Sequence, residues 1–163
     1  MQRLILLRHG KTEQHAPSGQ DFDRVLTGRG RRDSALVAQA LAREGFSPDL
    51  ALVSPAARAR ETWQAAAPAF PKAGVVMAQP LYNAAPETIL DEARRHGADV
   101  DTVLVVAHNP GLQQLALTLA QECKDAPDRA QIYASFPTAA AAVFDLTAGR
   151  LILLTPKALG GGA

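Results

Sequence analysis

Short runs of consecutive apolar residues alternate along the chain with longer stretches in which apolar positions recur every three or four residues. Continuous apolar runs suit strands covered on both faces, and the recurring stripes suit amphipathic helices, so the alternation predicts an α/β sheet. Strands are predicted over 3–7 (RLILL), 49–53 (DLALV), 74–78 (GVVMA) and 102–106 (TVLVV). Four helices are predicted between and after them. Residues 28–44 place Leu36, Val37, Ala40 and Leu41 on one side, with Thr27 as N-cap and Gly45 as the stop. Residues 55–67 carry Ala59, Trp63, Ala66 and Ala67 on one stripe, with Ser54 as N-cap and Pro55 at the first helical position. Residues 86–96 begin at Pro86 and end before Gly97; residues 110–121 carry Leu112, Leu115, Ala116 and Leu119 behind Asn109 as N-cap. Near the end, 140–146 and 150–154 flank Thr147-Ala148-Gly149 and predict a hairpin. Residues 124–138 show no clear pattern and read as loop. The expected fold is three-layered: a mostly parallel open sheet, helices on both faces, and a C-terminal hairpin.

Composition narrows this picture only a little. With 163 residues, 47% of them hydrophobic and 20% charged, the chain suits one domain spanning 1–163. A formal net charge of +1 gives no reason to expect nucleic acid or an anionic membrane as partner. The basic run Arg29-Gly30-Arg31-Arg32 reads first as a solvated face at a helix start; whether Arg29, Arg31 and Arg32 form a docking surface stays open. Cys123 is the only cysteine, which excludes an internal disulfide and a structural zinc site of several thiolates. The N-terminal apolar stretch is too short for a signal peptide and no run reaches membrane-spanning length, so a soluble, cytoplasmic protein is expected. Oligomeric state is not readable from the sequence.

The chemistry collects at the strand ends, where open α/β sheets bind ligands. Arg8-His9-Gly10 follows the first predicted strand. Ser54-Pro55 follows the second, with Arg58 in the next helical turn. Ala107-His108-Asn109-Pro110-Gly111 follows the fourth. If these strands are parallel neighbours, two histidines and two arginines emerge together, and two of the loops lead into helix N-termini that favour an anion. Arginine keeps its charge and presents a planar fork matched to phosphate oxygens. A neutral imidazole is a nucleophile, and a protonated one is a donor. Two arginines and two histidines without a carboxylate cluster make a poor divalent-metal site and a good phosphoryl pocket. One histidine can attack the phosphorus in line while the other holds an oxygen; water then hydrolyses the phosphohistidine. The requirement is spatial: side chains 9, 58 and 108 must meet around one point.

Four segments also carry a family resemblance. Leu7-Arg8-His9-Gly10-Lys11-Thr12 resembles the RHG motif of the histidine phosphatase superfamily, the phosphoglycerate mutase-like fold. Ser54 to Thr62 is similar to its S-x-x-x-R-A-x-x-T segment, and Val106 to Gly111 resembles its second-histidine segment. Asp21 to Gly30 is close to the D-x-x-R-x-L-T-x-x-G stretch of the short SixA-like branch. The resemblance spans roughly 3–121, with the segments in the family order. It implies that His9 is the transiently phosphorylated nucleophile, that Arg8 and Arg58 bind phosphoryl oxygens, and that His108 holds the phosphate. It implies no metal or organic cofactor. Its SixA-like branch is associated with phosphohistidine on proteins, so a phosphohistidine-bearing protein is the expected partner.

A proton donor for the leaving group is less clearly marked. Glu87 is the only acid in Pro80 to Glu87, and is either that donor or a partner of its helix dipole. Asp21 and Asp23 are rivals. Arg24 either contacts phosphate or braces a loop, and Asn109 is a further candidate phosphate contact. Lys11, Arg60, His15 and His96 read as surface residues, and Trp63 as core. The alternatives to a histidine phosphatase acting on protein are a small-molecule phosphomonoesterase, a mutase and a silent phosphate-binding module. A mutase needs a water-excluding pocket that this short chain has little length to build. A zinc hydrolase would want a third ligand beside His9 and His108.

Overall fold

The computed structural model describes residues 1–162. Strand β1 (Arg3–Arg8) lies inside a six-stranded sheet because neither of its faces is polar: Leu4 and Leu6 enter one core, Ile5 and Leu7 the other. The order is β3 (Gly74–Met77), β2 (Leu50–Val53), β4 (Thr102–Ala107), β1, β5 (Ala141–Asp145), β6 (Arg150–Leu154). The first four are mutually parallel, and the β5–β6 hairpin runs on antiparallel to β1. Helices α1 (Gly28–Arg43) and α2 (Ala57–Ala66) cover one face through Val37, Leu41, Ala59 and Trp63. Helices α3 (Pro86–His96), α4 (Gly111–Glu122) and α5 (Arg129–Ala134) cover the other through Ile89, Leu112, Leu115 and Ile132. This is the expected three-layer arrangement. No described helix is long and apolar enough to cross a membrane.

Three local departures have physical reasons. The segment 124–138, expected as loop, contains α5; its six residues bury only Ile132, too little to write a helical period. The predicted helix 55–67 starts at Ala57 and gives way at Ala67 to a 3-10 turn. Ser54 is not its cap, because the Ser54 hydroxyl faces His108 instead. Strand β3, expected to be covered on both faces, is an edge strand with Val75 and Met77 exposed. Thr27 does cap α1, accepting from the Gly30 N–H at 3.0 Å, and Gly45 follows the helix with φ 79°.

Candidate active site

Register places the site. Arg8 pairs with Ala107 and Val53 with Val106, so the next residues, His9, His108 and Ser54, leave three adjacent strands side by side. The rings of His9 and His108 lie 5.3 Å apart, centroid to centroid. Both residues are buried, as is Arg58 at 5% exposure.

Each imidazole is held in a defined tautomer. The His9 Nδ1 lies 2.8 Å from the Gly10 carbonyl, which can only accept, so Nδ1 carries the hydrogen and Nε2 keeps its lone pair. The His9–Gly10 peptide is pinned in turn: the Gly10 N–H donates to Thr62 Oγ1 at 2.9 Å, and that hydroxyl donates to the Arg58 carbonyl at 2.7 Å. Gly10 has no room for a side chain, since a Cβ there would sit 2.5 Å from the Gly30 carbonyl oxygen in the first turn of α1. His108 is arranged the other way. Its Nδ1 accepts from Arg58 Nε at 3.2 Å, so its Nε2 holds the hydrogen and donates to Ser54 Oγ at 2.6 Å.

The cations are fixed by backbone and carboxylate. Arg8 Nη1 donates to the Phe136 carbonyl at 2.9 Å, and the same oxygen accepts from Asn109 Nδ2 at 3.1 Å. Arg8 Nε is buried without a partner among the described residues. The segment after Phe136 also closes over the end of β1, where the Ala139 N–H donates to the carbonyls of Arg8 and His9. Arg58 spends Nη1 on the Asp21 carbonyl at 2.9 Å and Nη2 on the Asp21 carboxylate at 3.0 Å. That carboxylate also accepts from Tyr82 Oη at 2.9 Å and Arg24 Nη1 at 3.0 Å. Tyr82 packs edge-on against both His108 and Phe22.

Burial decides the protonation states. It pushes His9 down to about 4, with Arg58, Arg8 and Arg24 adding to the effect against the Gly10 hydrogen bond. It pushes His108 to about 3, with Arg58 next in size. Arg8 is also lowered, by burial and then by Arg58. For Asp21 burial works upward, but hydrogen bonds from Tyr82 and Arg24 and the charge of Arg58 outweigh it and hold the carboxyl at about 2. At neutral pH the site therefore holds two neutral imidazoles, three guanidinium groups and one carboxylate.

Arg8, His9, Arg58 and His108 thus come together as the strand ends implied. Arg24 reaches the cluster through Asp21, and is braced by the Glu13 carbonyl and Thr12 Oγ1. Asn109 neither caps α4 nor points a donor at the histidines; its amide serves the Phe136 carbonyl. Glu87 is exposed in the first turn of α3 and takes no part in the hydrogen-bonded cluster. The sequence carries no mark of the Tyr82 contact, and it offers Asp21 as the start of the D-x-x-R stretch and as a rival acid, not as the partner of Arg58 and Tyr82. Among the described residues no group of three or more His, Cys, Asp or Glu side chains is placed to hold a metal ion.

A neutral imidazole nitrogen with a free lone pair, a second imidazole beside it and fixed guanidinium groups near both have the chemistry that phosphoryl transfer needs, on a phosphoglycerate mutase-like sheet. The chain belongs to the histidine phosphatase superfamily: a profile of that superfamily, branch 1, matches residues 4–79. The uncharacterized Mycobacterium tuberculosis protein Rv1276c is 38% identical over 139 residues, covering 84% of this chain and 85% of that one. The crystal structure of the candidate phosphohistidine phosphatase SixA from Agrobacterium tumefaciens is 36% identical. It superposes with a TM-score of 0.77 over 88% of this chain and 91% of that one. Phosphoglycerate mutase from Plasmodium falciparum, 17% identical, shares the fold alone, with a TM-score of 0.59 over 93% of this chain and 87% of that one.

Proposed function

We propose that the protein is a cofactor-independent phosphatase that takes the phosphoryl group of a protein phosphohistidine onto His9 and then gives it to water. The observation that carries the reading is the free Nε2 lone pair of neutral His9, aimed from a pinned peptide beside His108 and the Arg58 guanidinium. In the first step His9 Nε2 bonds to phosphorus as the substrate N–P bond breaks, and the bonding pair leaves with the departing imidazole. In the second, a water oxygen bonds to phosphorus, the His9 N–P bond breaks, and phosphate leaves with the proton given up by water. Arg8 and Arg58 face the equatorial oxygens, whose charge they stabilise without reorganising. To hold an oxygen from the side, His108 gives up its Nε2–H donation to Ser54 Oγ.

The acids support this substrate class. Asp21 is ionised far below neutral pH and tied to two arginines, and Glu87 lies outside the cluster. An alkoxide leaving group needs a proton from the enzyme. An imidazole protonated on its other nitrogen departs neutral and needs none. The likeness to a candidate phosphohistidine phosphatase points the same way.

The test is turnover of an aryl phosphate and of a phosphohistidine protein in the presence of EDTA, with His9→Ala alongside. Chelator-resistant turnover, abolished by the substitution, and a trapped phosphoryl group on His9 are expected. Loss of activity with EDTA would replace this mechanism by a metal-dependent one. Phosphate binding without turnover of any substrate would leave a silent binding module.

A further inference from the structure

The Asp21 carboxylate sits inside the cation cluster as a resident anion. It lies in a 3-10 turn (Asp21–Asp23) and is bound from three directions: Arg58 Nη2 at 3.0 Å, Tyr82 Oη at 2.9 Å and Arg24 Nη1 at 3.0 Å. Its backbone carbonyl takes Arg58 Nη1 as well, so one residue occupies both terminal nitrogens of the guanidinium whose Nε faces His108. A phosphoryl group entering beside His9 and His108 meets this carboxylate across a single arginine.

We infer that Asp21 sets the charge of the phosphate cradle, weakening the grip on dianionic phosphate so that product leaves. The inference rests on the phosphatase reading above and adds to it. Arg8, Arg24 and Arg58 alone would present three positive charges to a dianion around neutral histidines. With Asp21 the excess is two, which balances the dianion without surplus attraction. Half of the Asp21 side chain is solvent-exposed, so its repulsion of phosphate is screened rather than full-strength.

Inorganic phosphate is the probe. Its inhibition constant against aryl-phosphate turnover is measured for the wild type, Asp21→Asn and Asp21→Ser, at low salt and at high salt. Both substitutions remove the charge and keep an oxygen that can accept a hydrogen bond. Each is expected to lower the phosphate constant by on the order of tenfold at low salt, with the gain shrinking as salt is added. A residue that only braces Arg58 gives the opposite sign, because loosening the arginine weakens phosphate binding. An unchanged or raised constant in either variant overturns the inference while leaving the phosphatase reading intact. A wild type that turns over no phosphate substrate removes that reading, and this inference falls with it.

Discussion

Arg58 Nε lies 3.2 Å from His108 Nδ1, and a guanidinium can only donate. His108 must therefore carry its hydrogen on Nε2, while His9, held by the Gly10 carbonyl, carries its own on Nδ1. The two active-site imidazoles are neutral and opposite in tautomer. Nitrogen-15 NMR of the ligand-free protein at pH 7 is expected to show one Nδ1–H and one Nε2–H imidazole among the buried histidines. Two imidazoles of the same tautomer would contradict the arrangement.

Both histidines resist protonation in the folded state, His9 down to about 4 and His108 to about 3, chiefly through burial. An unfolded histidine takes up its proton near 6.5. Below that value the unfolded chain binds more protons than the native one, so stability falls as pH drops from about 6.5 toward 4. The contribution is present above pH 6.5 and should amount to about 2 kcal/mol per histidine lost between pH 7 and pH 5. Urea unfolding at the two pH values, on wild type and on His9→Gln/His108→Gln, checks it: the double variant should show a smaller loss. Phosphate added at pH 5 should restore stability, since a bound anion favours the charged imidazoles.

Thr62 links the His9–Gly10 peptide to helix α2 by accepting from the Gly10 N–H and donating to the Arg58 carbonyl. Thr62→Val keeps the shape and leaves the buried Gly10 N–H unpaired. It should cost about 1–3 kcal/mol in unfolding free energy and lower turnover as well. Thr62→Ser, which retains the hydroxyl, should recover most of both.

The central strands were readable because parallel strands covered on both faces write continuous apolar runs, and Arg8, His9, Arg58 and His108 were readable because they follow three such runs within a few residues. The supporting contacts were not readable. Phe136 acts through its backbone carbonyl, which any residue would supply. Asp21 meets Arg58 across 37 positions of sequence, a pairing no local period encodes. Ser54 has a local use as a helix cap that fits its sequence context equally well, and only the register of β2 against β4 turns its hydroxyl to His108. Strand β3 carries the same apolar run as its neighbours, although it lies at the sheet edge with Val75 and Met77 in solvent.

Glu87 separates the two remaining accounts of leaving-group chemistry. As a general acid its loss would cost about 10²–10⁴ in rate. It is exposed in the first turn of α3, where a carboxylate complements the helix dipole whatever its neighbours do. Glu87→Gln should therefore leave kcat/KM for a phosphohistidine protein within about threefold of wild type, far short of that loss. Without a donated proton the rate on phosphate esters should depend on the leaving group itself. Across a series of aryl phosphates kcat/KM should fall steeply as the phenol pKa rises, with an N–P substrate well above the alkyl phosphates. A flat series, together with a hundredfold loss in Glu87→Gln, would restore Glu87 as the acid and remove the argument that points to phosphohistidine.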